Sequence, residues 1–263
     1  MSNVRMPAVA GMFYPADRGE LRTMVHRFLD AVPPEPAAEP PKAIIAPHAG
    51  YPYSGPVAAS AYARLRPLAE TVTRVVLLGP SHRVGFYGLA ASSAEAFHTP
   101  LGDVPIDQEA VAEACRLPQV QVLDQAHQME HSLEVQLPFL QEVLGSFSLV
   151  PLVVGDAGPQ DVGEVLELLW GGPETLIVIS SDLSHYHDYD AAQRLDRATT
   201  AAIETLRPEG VDSEGACGRN PINGLLYVAR RHGLQARTLD LRSSGDTAGP
   251  RDAVVGYGAY TFH

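Results

Sequence analysis

The sequence predicts an α/β protein built in three layers, a central mostly parallel or mixed sheet with helices on both faces. Three observations predict it. Short apolar runs bounded by Pro, Gly and Ser alternate with longer stretches of helical periodicity, as in strand–helix–strand units. Several runs, including 43–46, 73–79 and 174–180, are apolar nearly throughout, as expected of strands buried on both faces. Three of them lead into a histidine, and ligands of open α/β sheets bind just outside the carboxyl ends of the strands. At 263 residues, 45% hydrophobic and 19% charged, the chain has material for a sizeable core, read as one domain over 1–263. No internal repeat is visible.

Each element has its own reason. Residues 8–15 read as an extended N-terminal segment. Asp17 is placed to cap a helix over 18–29, with Leu21, Val25 and Leu29 on one face. The proline-rich stretch 33–41 is a connector, too short for a domain boundary. The strand Ala43–Ala46 stops at Pro47, His48 follows, Gly50 frees the backbone to turn, and an Ala-rich helix starts near Ser54 and runs to about 65. Strand 73–79 ends in Pro80, Ser81 and His82. A strand over 86–92, a loop over 97–103 and a helix from Asp107 to about 116 come next. Residues 124–132 are polar and crowded with titratable groups, and lead into a helical face of Leu133, Leu137 and Leu140. Strand 148–155, a helix carrying Val162, Val165, Leu166 and Leu169, and strand 174–180 follow. The last of these passes through Asp182 to His185. A long polar helix over 189–206, a turn over 215–221 opening a helix to about 232, and closing strands over 235–241 and 253–262 complete the pattern, with 243–249 a flexible loop.

Charge and composition exclude some functions. A formal net charge of −12 disfavours non-specific nucleic-acid binding, which depends on neutralising phosphates. No apolar run approaches the roughly 18 residues of a membrane span, and residues 1–7 lack the apolar core of a signal peptide. A cytoplasmic protein is expected. Two cysteines, Cys115 and Cys217, argue against a disulfide framework. Cys115 sits in an ordinary helical pattern and reads as an inert thiol.

The chemistry gathers at the strand ends. One histidine past a strand is an ordinary loop residue, but His48, His82 and His185 repeat the placement three times. Imidazoles from separate strand ends can converge on a metal ion. Cys217, between Gly215 and Gly218 and just before a helix, is a fourth donor whose thiolate a helix N-terminus favours. Asp182 is placed either to accept a proton from an imidazole or to cap a turn. The segment His127-Gln128-Met129-Glu130-His131 matches the H-x-x-E-H pattern of some zinc peptidases, but lies at the border of a polar loop and a helix, where the pattern is weak. Glu130 and Ser132 instead suit a helix N-terminus, and His131 the pocket wall.

Five motifs together resemble the MEMO family: Ala46-Pro47-His48-Ala49-Gly50-Tyr51, Gly79-Pro80-Ser81-His82, Glu130-His131-Ser132-Leu133-Glu134, Ser180-Ser181-Asp182-Leu183-Ser184-His185 and Cys217-Gly218-Arg219-Asn220-Pro221. The opening, 7–15, is similar as well. In prokaryotes the family is also known as AmmeMemoRadiSam system protein B. The resemblance implies a fold like that of class III extradiol dioxygenases, which use non-haem iron. It implies a metal site at His48, His82 and Cys217, with His185 in the place of the dioxygenases' catalytic histidine and Asp182 and Tyr53 nearby. Glu130, His131 and Arg219 complete the pocket lining. The dioxygenases use a carboxylate where this chain has Cys217, so ring cleavage does not follow. A thiolate suits copper as well as iron. The expectation is a redox-active iron or copper protein. The alternatives are a binding module for a phosphopeptide or protein partner, and a metal-dependent hydrolase. AMMECR1-type and radical-SAM proteins are the implied partners.

Overall fold

In the computed structural model, which describes residues 3–34 and 39–263, the short strand β1 (Val4–Arg5) precedes α1 (Arg18–Asp30). Asp17 caps α1 as the sequence predicts, its carboxylate accepting the N–H groups of Gly19 and Glu20. Residues 35–38 of the proline-rich connector lie outside the described residues. Then come β2 (Ala43–Ala46), α2 (Tyr51–Tyr62), β3 (Arg74–Pro80), β4 (Leu89–Ala91), β5 (Ala96–Thr99) and β6 (Gly102–Pro105). Next are α3 (Gln108–Ala114), β7 (Val120–Val122), α4 (Asp124–Gln128), α5 (Leu137–Val143), β8 (Ser148–Val154) and α6 (Pro159–Leu168). The chain closes with β9 (Thr175–Ser180), β10 (His185–His187), α7 (Tyr189–Glu204), α8 (Arg219–His232), β11 (Ala236–Ser243), α9 (Ser244–Thr247) and β12 (Val254–Phe262).

The main sheet has nine strands, in the order β10-β12-β2-β9-β3-β8-β4-β7 with β11 also on β12. Its centre, β2-β9-β3-β8, is parallel; β12 against β2 and β4 against β8 are antiparallel, so the sheet is mixed. Every residue of β2 and β9 is buried, which explains their unbroken apolar runs. Helices α1, α2 and α5 pack together on one side, and α6 with α8 on the other. The second pair approaches closely because Gly163 faces Tyr227 and Gly224 faces Val162; a Cβ at Gly224 would lie 2.2 Å from Val162.

Some local expectations differ. The stretch read as a loop over 97–103 belongs to the β5–β6 hairpin, which pairs with β1 in a separate three-stranded sheet. Its buried Phe97 and Val104 supply the apolar anchors that its turn-like composition hid. Helix α2 starts at Tyr51, not near Ser54, because Pro52 lies within its first turn, where no N–H partner is needed. The closing loop contains α9, held by Asp246 accepting from the Ser243 N–H and hydroxyl. His185 is not directly at a strand end: four residues separate it from Ser180, and it opens the edge strand β10.

Candidate metal centre

The adjacent parallel strands β2, β9 and β3 all end at one rim, and the residues just past them meet there. His48 comes from β2, Ser180 to Asp182 from β9, and His82 from β3. His131 reaches the same place from the segment after α4. One donor atom each from His48, His82 and His131 lies within 4.8 Å of the others. The His82 and His131 rings stack with centroids 4.6 Å apart, and the His48 ring stands edge-on to both, at 5.2 and 5.4 Å.

The hydrogen bonds fix two tautomers. The Ser180 hydroxyl donates its proton to the Ser132 carbonyl (2.6 Å) and accepts from Gln136 Nε2 (2.8 Å). Its remaining contact, His48 Nδ1 at 2.8 Å, must therefore be a donor, which leaves the His48 Nε2 lone pair free. His82 Nδ1 lies 2.9 Å from Glu130 Oε1, and an ionised carboxylate only accepts, so Nδ1 is the donor and Nε2 is the nitrogen left for a metal ion. Burial raises the Glu130 pKa, but the hydrogen bonds and charge of His82 and the backbone N–H of Ser132 outweigh it and hold the group at about 2. A carboxylate behind an imidazole is the usual support of a metal ligand. Of the two roles open to Asp182, partner of an imidazole or cap of a turn, the first falls to Glu130. Asp182 Oδ1 instead accepts the backbone N–H of His48 at 2.7 Å, fixing the turn after β2. Burial raises the Asp182 pKa to about 7.

Burial, with the neighbouring His82, His131 and His185, pushes the His48 pKa well down. Burial also takes His131 to about 4 and lowers His185. These rings are neutral at pH 7, the form that binds metals. His185 Nδ1 lies 2.8 Å from the Leu183 carbonyl, so its Nε2 carries the lone pair.

Cys217 adjoins the group through His48: its Sγ is 3.4 Å from His48 Nε2 and 3.6 Å from the Asp182 carbonyl. Sulfur and nitrogen ligands of one tetrahedral ion stand about 3.6 Å apart by ordinary bond lengths, so the first spacing suits a shared ion. The expected thiolate is not favoured in the metal-free chain. Burial, then the Asp182 charge, pushes the Cys217 pKa up to about 12, and position before α8 does not offset that. Gly218 lets the thiol approach: a Cβ there would lie 2.6 Å from Ser181 Cβ and 2.9 Å from the Ser180 carbonyl.

The H-x-x-E-H pattern divides. His131 joins the cluster, while buried His127 turns away to the Ala90 carbonyl (2.9 Å) and the Phe97 ring. Glu130 serves the cluster rather than a helix terminus: besides His82 it accepts the N–H groups of His131 and Ser132, both at 2.9 Å. Tyr53 is 43% exposed on the first turn of α2. Arg219 lines a cavity of about 600 Å³ that also includes Cys217 and Ser81. Sequence reasoning missed the tie that steadies the cluster. The buried Glu134 carboxylate pairs with Arg5 and accepts from the N–H groups of Ala8 and Val9 and from the Tyr14 hydroxyl. Arg5 also donates to the carbonyls of His127 and Glu130. A buried glutamate in a sequence otherwise leading into an apolar helix was the available signal.

Open α/β architecture with neutral, pre-oriented imidazoles at the carboxyl rim defines a protein able to hold a transition metal there. The chain belongs to the MEMO family: the family model described as Memo-like protein matches residues 5–261. It is 38% identical to a MEMO1 family protein of Ignicoccus hospitalis over 98% of each chain, and 38% identical to one of Sulfolobus acidocaldarius over 97% of each. A MEMO1 family protein of Aquifex aeolicus is 37% identical over 97% of each. A solved structure of an uncharacterized Escherichia coli K12 protein aligns with 82% of this chain and 98% of its own, with 14% identity and a TM-score of 0.49, a likeness too loose to bear on the site.

Proposed function

We propose that the protein is a redox-active metal protein that holds iron or copper with His48, His82 and Cys217, with His131 and His185 beside the ion. The observation that carries this is the pair of imidazoles, His48 and His82, whose Nδ1 atoms are engaged by Ser180 and Glu130 and which share one cluster of donor atoms with His131. Mixed imidazole and thiolate donors suit iron and copper, and such an ion supplies one-electron chemistry. Glu130 and Ser180 orient the ligands, Asp182 holds the His48 turn, and His185 offers a neutral Nε2 as a base. Cys217 must lose its proton on binding, so uptake strengthens as pH rises. Glu130 does not suit the base of the hydrolase alternative: it accepts four hydrogen bonds and its pKa is held at about 2, far from the neutral value such a base needs.

The test is metal uptake by anaerobically prepared protein offered Fe(II) or Cu(I). One ion per chain is expected, lost in His48→Ala. Cys217→Ser should bind more weakly and lack the thiolate-to-metal absorption of the wild type. Equal stoichiometry in a His48→Ala, Cys217→Ala double variant rules the site out.

A further inference from the structure

The cavity beside Cys217 lies at the ends of β3 and β8, the next strand along from those that supply the metal donors. It holds about 600 Å³, within the range of small-molecule sites. Val84, Phe86 and Val154 give it apolar wall, and the partly exposed thiol of Cys217 forms its border with the cluster.

Two charges stand in this wall, Arg219 and Asp156. Their chain neighbours are joined: Asn220 Nδ2 donates to the Gly155 carbonyl at 2.7 Å, clamping the start of α8 to the end of β8. Asp156 is itself held, its N–H on the Phe86 carbonyl at 2.8 Å and its carbonyl on the Gly88 N–H at 2.9 Å. Yet the two side chains form no ion pair with each other, and neither has another side-chain partner among the described residues. Both residues are exposed at the cavity mouth, and an unpaired cation and an unpaired anion lining one partly apolar cavity complement a ligand with both charges. A simple anion would gain Arg219 but meet repulsion from Asp156 and from a chain of net charge −12. A simple cation would face the reverse conflict at Arg219.

We infer that this cavity binds a small zwitterion with an apolar body, such as an aliphatic α-amino acid or a short peptide, its carboxylate on Arg219 and its ammonium on Asp156. The occupant lies against Cys217, and in that respect the inference rests on the metal-site reading and names the substrate class of that site. Arg219 and Asp156 act as specificity residues and are not among the metal donors.

The experiment is calorimetric titration of metal-loaded and metal-free protein with L-leucine, L-leucyl-L-leucine, 4-methylpentanoate and 3-methylbutylamine, with bound metal counted in parallel. Saturable binding of L-leucine or the dipeptide is expected, at least tenfold tighter than either singly charged probe. Arg219→Gln and Asp156→Asn should each weaken it about tenfold while circular dichroism and metal stoichiometry stay unchanged. No saturable binding of either zwitterion to the metal-loaded protein overturns the inference. So does binding undiminished in both variants, or a singly charged probe that binds equally well. A chain that takes up no metal but binds the zwitterion through Arg219 and Asp156 refutes the metal reading and upholds this one.

Discussion

At the scale of the residue, the difference between a ligand and a bystander is the partner on the far side of the ring. His82 and His127 both lie near the same loop, but Glu130 stands behind His82 and leaves its Nε2 available, whereas His127 spends Nε2 on a carbonyl. Glu130→Gln removes the charge that orients His82, and should weaken metal binding about 10–100-fold, the usual cost of losing such support. Competition with a chromophoric chelator measures it. His127 titrates differently. Its pKa is lowered to about 4, chiefly by burial, with the Ala90 hydrogen bond opposing and the Arg5 charge assisting. Its unfolded value is near 6.5, so below that pH the unfolded chain binds the extra proton first. The stability from a neutral His127 is complete above pH 6.5 and is lost as pH falls towards 4, on the order of 3 kcal/mol in all. His127→Gln should flatten the decline in urea midpoint of the chelator-treated protein between pH 7 and 5. An unchanged slope would assign the acid sensitivity elsewhere. Legibility at this scale was mixed. His48 and His82 were readable because a strand end implies a rim; that Glu130 rather than Asp182 backs an imidazole was not, because it depends on which backbone turns face each other.

At the scale of the element, the site depends on segments far apart in the chain. The N-terminal stretch crosses the loop between α4 and α5, and the buried Arg5–Glu134 pair joins them. Removing one partner of a buried pair leaves a desolvated charge, so Glu134→Gln should cost about 3–5 kcal/mol in denaturant unfolding. The same change loosens the loop carrying Glu130 and His131, so metal affinity should fall with it. Unaltered affinity in the folded variant would show the tie to be structural alone. The central strands were legible because burial on both faces leaves one kind of sequence. The β5–β6 hairpin was not, since four-residue strands with an alternating burial pattern carry too little periodicity to separate from a loop.

At the scale of the whole molecule, β2, β9 and β3 lie side by side although their sequence order is first, last and middle. Only this shuffled order brings residue 48 beside residues 82, 180 and 217. An ion that binds the folded chain alone stabilises it by about 2.7 kcal/mol at a hundred times its Kd, which for a chain of this size raises Tm by about 5–10 °C. Fe(II) or Cu(I) should produce that shift in the wild type and not in His48→Ala. The sequence by itself determined the layered α/β class, the buried strands and the histidines at their ends, because burial and backbone turning impose local composition. The tertiary structure alone decided that His127 turns away from the cluster, that Glu130 supports His82, and that Arg219 and Asp156 share a cavity. Those outcomes depend on distances between segments remote in the chain, and on the desolvation they impose on one another, neither of which leaves a periodic trace along the chain.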